Sequence, residues 1–128
     1  MANQQEQIVA IIDDDAGMRK AIARLLRAFG YLPEIFASGD EFLGAAQTSK
    51  ALCLIVDLHL GHSTGLDLVR QLSTQGLRFP VIFITGWDDD ATRQQAADLG
   101  CLTYLRKPFP SASLIEAIHN ATGSTRRT

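Results

Sequence analysis

The sequence predicts an α/β domain in which a parallel sheet is covered by helices on both faces. Short apolar runs alternate five times with segments of helical periodicity along the 128 residues. Three of the runs are almost continuous in Val, Ile, Leu and Phe, which is typical of strands buried on both faces of a sheet. Each connection between successive strands should therefore be a right-handed crossover.

Five strands are predicted from the apolar runs. They cover residues 8–12, 33–37, 52–56, 81–85 and 102–106. The first run ends abruptly at three consecutive aspartates, Asp13, Asp14 and Asp15. The first, third and fourth runs are the continuously apolar ones, so these strands should lie in the interior of the sheet.

Five helices are predicted between and after the strands. Ser38 should cap the second helix, because its hydroxyl can accept a hydrogen bond from a free backbone N–H, and Glu41 should complete a capping box. The third helix ends near Gly76, and Ser111 should cap the fifth. The fourth, over residues 88–99, has only a thin apolar stripe, so we expect it to be the least firmly packed.

The composition suits a single folded domain. With 46% hydrophobic and 20% charged residues, the chain can build a sizeable core. We expect one domain over residues 1–128, with a core of about residues 7–122 and a polar tail or linker remnant at 123–128. The formal net charge of −2 gives no support to bulk electrostatic binding of nucleic acid or an anionic membrane.

The sequence carries no signal for secretion or membrane insertion. Its polar start lacks the basic-then-apolar order of a signal peptide. No apolar run approaches the roughly 20 residues that cross a bilayer. Cys53 and Cys101 lie beside apolar residues and are interpreted as small core side chains rather than a disulfide pair. We therefore expect a cytoplasmic protein.

Polar residues follow four predicted strands, at the sheet edge where such folds bind ligands. Asp13 and Asp14 follow the first strand, Asp57 the third and Lys107 the fifth, and Thr85 closes the fourth. At an effective dielectric of about 20, like charges about 4 Å apart repel by roughly 4 kcal/mol, which a hard cation such as Mg²⁺ would relieve. A carboxylate nucleophile beside Mg²⁺ and a lysine indicates phosphoryl transfer, with the threonine hydroxyl available to a phosphoryl oxygen.

Each of these residues also has an ordinary structural explanation when taken alone. Asp14 and Asp15 suit the positive start of the first helix. Asp57 suits a turn, Lys107 a solvated charge and Thr85 a strand. Four separate strand ends nevertheless deliver residue types that one mechanism needs, and this joint pattern favours the phosphoryl-transfer interpretation.

These segments together resemble the receiver domain of two-component response regulators over about residues 7–122. The resemblance is greatest to receivers of the nitrogen-fixation regulator type, which normally precede a DNA-binding domain. Four motifs in order carry it, with a glycine, Gly65, at the family's spacing after Asp57. The motifs are Ile11-Ile-Asp-Asp-Asp, Leu54-Ile-Val-Asp57, Ile82-Phe-Ile-Thr85-Gly86 and Tyr104-Leu-Arg-Lys107-Pro108-Phe109.

The resemblance implies the fold and the switching residues. The fold is a flavodoxin-like (βα)5 three-layer sandwich with a parallel five-stranded sheet of order 2-1-3-4-5. Asp57 is the implied phosphoacceptor, and Lys107 and Thr85 bind phosphoryl oxygens. As Thr85 moves inward, Tyr104 rotates into the space left and remodels the surface of the fourth helix, fifth strand and fifth helix.

The resemblance also implies a metal site and two modulating residues. Mg²⁺, with Mn²⁺ as a substitute, is held by the carboxylates of Asp13, Asp14 and Asp57 and by the backbone carbonyl of His59. The His59 imidazole is not required as a ligand, because Mg²⁺ prefers oxygen. Trp87 and His59 are expected to modulate the attack of water on phospho-Asp57, although an ordinary, partly exposed aromatic residue is the simpler interpretation of Trp87.

The implied activity is that of a signalling switch rather than an enzyme, with self-catalysed phosphorylation and dephosphorylation. The phosphoryl group would come from a sensor histidine kinase, a phosphotransfer protein or a small phosphodonor. A phosphorylated homodimer is consistent with the family. A DNA-binding output domain in a longer parent is equally consistent, without nucleic-acid or membrane contact by this domain.

Other classes of function stay open. An aspartate-nucleophile phosphatase or phosphotransferase of the haloacid-dehalogenase type usually has a Thr after its Asp-x-Asp pattern, which the Asp13–Asp15 segment lacks. A flavodoxin-like cofactor binder would need Ser, Thr and Gly where the chain has three acids. A non-phosphorylated interaction module is the third alternative.

Overall fold

The computed structural model describes residues 7–101 and 103–123. Residues 1–6, Leu102 and residues 124–128 lie outside the described residues. The predicted single domain over 1–128, its tail at 123–128 and the first residue of the predicted fifth strand are therefore not tested at those positions.

The described residues form seven strands and five helices. In chain order these are β1 (Ile8–Ile12), α1 (Ala16–Ala28), β2 (Leu32–Phe36), α2 (Gly39–Ala45), β3 (Cys53–Asp57), β4 (His59–Leu60), β5 (Ser63–Thr64), α3 (Gly65–Thr74), β6 (Val81–Thr85), α4 (Asp90–Asp98), β7 (Thr103–Arg106) and α5 (Ser111–Thr122). Five strands form one parallel sheet of order β2-β1-β3-β6-β7. Leaving aside the short strands β4 and β5, this is the predicted order 2-1-3-4-5.

The sheet lies between two helical layers. Alternate residues of β1 face opposite sides: Val9 and Ile11 pack with α1 and α5, whereas Ala10 and Ile12 pack with α2, α3 and α4. Every residue of β3 and β6 is buried, as the continuous apolar runs predicted. The three-layer flavodoxin-like sandwich is confirmed, and both site-bearing strands lie in its interior.

The first two helices begin with side-chain caps. Asp15 caps α1, because its carboxylate accepts hydrogen bonds from two N–H groups of the first turn, at 2.8 and 3.2 Å. Ser38 caps α2 as predicted, with its Oγ accepting from the Glu41 N–H at 3.1 Å. The Glu41 carboxylate accepts from the Ala37 N–H at 2.9 Å, one residue before the partner that a capping box would use.

The last two helices differ from each other in how they start and pack. The predicted Ser111 cap of α5 is wrong, since the helix begins after Pro110 without a side-chain cap. The Ser113 N–H is satisfied by the Pro110 carbonyl at 3.0 Å instead. In α4, Asp89 is the cap and Ala96 is the one buried residue, which confirms the expected weak packing. Among the described helices, none combines the length and apolar character needed to span a bilayer.

A short hairpin that was not predicted follows Asp57. Strands β4 and β5 pair antiparallel, with His59 opposite Thr64, and the hairpin turns at Gly61, whose φ is +70°. The next residue, Gly65, starts α3 against the end of β3, where a Cβ would lie 2.7 Å from the Asp57 carbonyl oxygen. Only glycine allows this close approach, which brings α3 directly beneath the predicted phosphoacceptor.

Candidate functional site

Three carboxylates meet beyond the carboxyl ends of β1 and β3. One oxygen from each of Asp13, Asp14 and Asp57 lies within 4.8 Å of the others. Asp13 and Asp57 are buried and Asp14 is exposed. Because Ile12 and Val56 are partners in the parallel ladder, the aspartates that follow them leave the sheet side by side. The fold thus brings together the three predicted metal-binding carboxylates.

Lys107 supplies the positive charge of this cluster. Its Nζ lies 2.8 Å from Asp57 Oδ2 and 3.6 Å from Asp13 Oδ2. Burial alone lowers the Lys107 pKa, but the hydrogen bond to Asp57 and the charges of both aspartates outweigh it, so the pKa lies above its ordinary value. The ammonium is therefore charged at neutral pH and neutralises part of the acidic cluster. The Lys107–Pro108 peptide is cis.

Asp13 has one satisfied carboxylate oxygen and one unsatisfied one. Its Oδ1 accepts from the Asp15 N–H at 2.9 Å. Its Oδ2 is buried with no hydrogen-bond partner among the described residues, since the 3.6 Å to Lys107 exceeds hydrogen-bond length. Burial raises the Asp13 pKa, the Asp15 N–H lowers it and the Asp57 charge raises it further, with a net increase. A buried carboxylate oxygen without a donor, in an all-oxygen cluster, fits a hard cation such as Mg²⁺.

Both oxygens of Asp57 are engaged by neighbouring donors. Oδ1 accepts from the His59 backbone N–H at 2.9 Å, and Oδ2 accepts from Lys107 Nζ. The His59 backbone therefore lies against the carboxylate, while its imidazole is exposed. The predicted use of the His59 carbonyl as a metal ligand stays a prediction.

Thr85 closes β6 with a completely buried side chain. Its Oγ1 donates to the Trp87 carbonyl at 2.6 Å and accepts from the Trp87 N–H at 3.0 Å. The hydroxyl is thus satisfied within its own turn rather than by Asp57 or Lys107. Trp87 itself is 69% exposed.

Tyr104, the predicted switch aromatic, lies in β7 opposite Phe83 of β6. Its ring is covered by the guanidinium of Arg93 from α4, with the Arg93 Cζ 4.4 Å from the ring centroid. This contact was not predicted, because the two residues belong to different elements and only the fold makes them neighbours.

A second contact that sequence reasoning missed involves Arg19. Its guanidinium donates to the backbone carbonyl of Asp13 at 2.9 Å and so ties α1 to the acidic loop. The available signal was its spacing, since Arg19 lies one helical turn after the cap Asp15.

Comparison with known proteins agrees with this geometry. Residues 9–119 match the response regulator receiver domain family. The response regulator protein TmoT of Ectopseudomonas mendocina is 34% identical over 119 residues, which are 93% of this chain and 54% of TmoT. The transcriptional regulatory protein FixJ of Azorhizobium caulinodans is 32% identical over 115 residues, or 90% of this chain and 54% of FixJ.

A solved structure extends the likeness to three dimensions. A response regulator receiver protein from Burkholderia phymatum is 38% identical, with a TM-score of 0.80, over 92% of this chain and 96% of that one. The chain spans about half the length of the curated relatives it matches. The family match, the sheet order and the relatives confirm the resemblance read from the motifs: the chain belongs to the response regulator receiver domain family.

Proposed function

We propose that the chain is a phosphorylation switch in which Asp57 accepts a phosphoryl group. The donor is a sensor histidine kinase, a phosphotransfer protein or a small phosphodonor such as acetyl phosphate. The observation that carries this proposal is the position of Asp57 between a lysine ammonium 2.8 Å away and the carboxylates of Asp13 and Asp14. That combination of nucleophile, cation and metal ligands is what phosphoryl transfer to a carboxylate needs.

The transfer exchanges one bond to phosphorus for another. A carboxylate oxygen of Asp57 attacks the phosphorus and forms the acyl phosphate. The P–N bond of phosphohistidine, or the P–O bond of acetyl phosphate, breaks, and its electron pair leaves with the imidazole or the acetate. Water later attacks the same phosphorus, which releases inorganic phosphate and restores the Asp57 carboxylate.

Two sources of positive charge, Lys107 and a metal ion held by the acidic residues, would stabilise the negative charge on the phosphoryl oxygens. The carboxylates of Asp13, Asp14 and Asp57 with the His59 carbonyl would hold Mg²⁺, or Mn²⁺ in its place. When bound, the ion supplies positive charge to the phosphoryl oxygens. Lys107 moves from Asp57 Oδ2 to a phosphoryl oxygen and keeps its charge within the site, consistent with its raised pKa.

The change of surface begins at Thr85. To donate to a phosphoryl oxygen, its hydroxyl gives up both hydrogen bonds to the Trp87 backbone. Tyr104 then rotates into the vacated space and alters the surface of α4, β7 and α5. The two arrangements are packings of one domain, and phosphorylation shifts the population between them.

The output of the switch belongs to a partner or to a longer parent chain. The chain spans about half of relatives such as FixJ, which is named a transcriptional regulatory protein. We therefore propose that a DNA-binding output domain or a separate partner binds the surface of α4, β7 and α5. The same surface would support homodimerisation, and the protein would act in the cytoplasm. The receiver itself contacts neither nucleic acid nor membrane.

One assay separates this proposal from two alternatives, a phosphatase and a passive interaction module. The chain is incubated with Mg²⁺ and either acetyl phosphate or p-nitrophenyl phosphate, and intact mass and nitrophenol release are followed. We expect covalent addition of one phosphoryl group from acetyl phosphate, lost in Asp57→Asn, and no sustained ester turnover. Sustained turnover that survives Asp57→Asn would favour a phosphatase. The absence of both phosphorylation and ester turnover would favour a passive interaction module.

A further inference from the structure

Arg93 makes two contacts at once near the predicted switch aromatic. Its guanidinium lies over the Tyr104 ring, with 4.4 Å between Cζ and the ring centroid. Its Nη2 also lies 2.7 Å from Asp88 Oδ2, in the loop that joins β6 to α4. A cation over an aromatic face is attracted by the ring quadrupole, and the ion pair with Asp88 holds the guanidinium in place.

The Tyr104 hydroxyl makes no hydrogen bond of ordinary geometry that would fix the ring. Neither the hydroxyl nor Asp88 Oδ1 has a hydrogen-bond partner among the described residues, and both atoms are buried. Burial, followed by the charge of Asp88 and by an interaction of its carboxylate with the phenol, raises the Tyr104 pKa, so the phenol stays neutral. The guanidinium of Arg93 therefore makes the close contact with the ring face, while the Asp88 carboxylate lies near the hydroxyl at the tip of the ring.

The same loop also binds the Thr85 hydroxyl. Thr85 is hydrogen-bonded to the backbone of Trp87, and Trp87 directly precedes the Asp88 that binds Arg93. A movement of Thr85 disturbs the loop on one side, and a rotation of Tyr104 removes the ring from beneath Arg93 on the other. The first movement breaks hydrogen bonds to Trp87, and the second breaks the contact with Arg93, which is bound to the adjacent Asp88.

We propose that Arg93, anchored by Asp88, is a positioning residue that holds Tyr104 in its unphosphorylated orientation and so opposes the switch. This inference rests on the proposed phosphorylation of Asp57. An exposed ion pair by itself contributes little to stability, and the Arg93 side chain is half exposed. The effect therefore comes from the contact with the ring, and it should depend on Tyr104 being present.

The consequence is measurable as an apparent affinity. Beryllofluoride with Mg²⁺ imitates the phosphoryl group on the acceptor carboxylate. Its apparent affinity equals its intrinsic affinity multiplied by the fraction of molecules that are already in the switched, binding-competent state. A cation–π contact at an exposed site corresponds to about a two- to fivefold bias between states. We expect Arg93→Gln, which removes the charge, to bind beryllofluoride about two- to fivefold more tightly. Asp88→Asn should shift the affinity in the same direction, and Arg93→Lys should lie between wild type and Arg93→Gln.

The titration is followed by NMR at two backbone amides of the same sample. The His59 amide, bonded to Asp57, reports occupation of the site, and the Tyr104 amide reports the switch. Arg24→Gln is the charge-matched control, since Arg24 is exposed on the other side of the sheet and makes no ion pair within residues 7–101 and 103–123. Arg93→Gln is repeated in a Tyr104→Leu background, where its effect on affinity should vanish.

The outcomes separate the inference from the function it rests on. If the His59 amide of the wild type does not respond to beryllofluoride and Mg²⁺, the proposed function fails and this inference with it. If the wild type responds but Arg93→Gln has an equal or weaker affinity, only the positioning role is overturned. The same holds if Arg93→Gln tightens binding equally without the Tyr104 ring. A tighter Arg93→Gln, an unchanged Arg24→Gln and loss of the effect in Tyr104→Leu support it.

Discussion

Lys107 and Asp57 form a close ion pair across the edge of the sheet, with Nζ 2.8 Å from Oδ2. The same ammonium lies 3.6 Å from Asp13, so one cation faces two buried carboxylates. In the unphosphorylated domain, its positive charge thus already interacts with the carboxylates of Asp13 and Asp57. This shared cation links the stability of the resting domain to the chemistry proposed for it.

Replacing Lys107 should destabilise the domain in a way that a metal ion repairs. Lys107→Met leaves Asp13 and Asp57 buried without the ammonium, and we expect a loss of roughly 1–3 kcal/mol in the free energy of unfolding. Urea unfolding with and without Mg²⁺ measures this. Mg²⁺ should stabilise the variant more than the wild type, because it replaces the missing positive charge. Arg106→Met, an exposed neighbour in β7, is the control, and equal Mg²⁺ effects in both variants would contradict the prediction.

The close approach at Gly65 predicts a strong contrast between two glycines. In Gly65→Ala, the new Cβ would lie 2.7 Å from both the Asp57 carbonyl oxygen and Val56 Cγ1. We expect a loss of about 1–3 kcal/mol in stability from this overpacking. In Gly44→Ala, nothing lies within 4 Å of the new Cβ in the last turn of α2, so stability should rise slightly, by up to about 1 kcal/mol. Thermal unfolding of both variants checks the prediction, and a tolerated Gly65→Ala would refute it.

Two exposed side chains should set the lifetime of the acyl phosphate. Trp87 and His59 are exposed, and their backbone N–H groups are hydrogen-bonded to Thr85 and Asp57, so we expect their side chains to restrict the approach of water to the acyl phosphate. We expect Trp87→Ala and His59→Ala to lose phosphate faster, by up to about tenfold, which corresponds to roughly 1.4 kcal/mol in the barrier. Loss of the phosphorylated mass is timed after removal of acetyl phosphate. Gln94→Ala, an exposed change in α4, is the control, and unchanged rates in both Trp87→Ala and His59→Ala would rule out the role.

The Cys53 thiol should make stability depend on alkaline pH. Burial raises its pKa from an ordinary 9.0 to about 12, because the interior disfavours the thiolate. The unfolded chain releases this proton more easily than the folded one. The contribution of the thiol to the free energy of unfolding is therefore fully present below pH 9 and is lost as pH rises towards about 12. Urea unfolding between about pH 8 and 11 should show a steeper loss in the wild type than in Cys53→Val. Parallel curves for the two proteins would contradict the assignment.

Much of the fold followed from the sequence because burial leaves a direct pattern in it. The runs that became β3 and β6 are apolar at every position before their polar ends, since both faces of these strands are covered. The hairpin of β4 and β5 has only two residues in each strand, too few for any periodicity, so it was missed.

The site was predictable at its strand ends and not beyond them. The local pattern alone did not divide the three adjacent aspartates, because Asp14 and Asp15 also suit a helix start, and only the family resemblance named Asp13 and Asp14 as metal ligands. The structure uses Asp15 as the cap of α1 and brings Asp13 and Asp14 towards Asp57. The contact of Arg93 with Tyr104 depends on how α4 packs against β7, which no local pattern encodes.

Chemical trapping at position 57 tests the central claim most directly. An acyl phosphate is reduced by borohydride to an alcohol, so phospho-Asp57 becomes homoserine, whereas a free carboxylate does not react. After incubation with acetyl phosphate and Mg²⁺, reduction and peptide mass spectrometry should find homoserine at position 57 and at no other aspartate. Omitting Mg²⁺ should reduce the yield sharply, and Asp57→Asn should give none. Homoserine at Asp13 or Asp14 instead, or none in the wild type, would contradict the account.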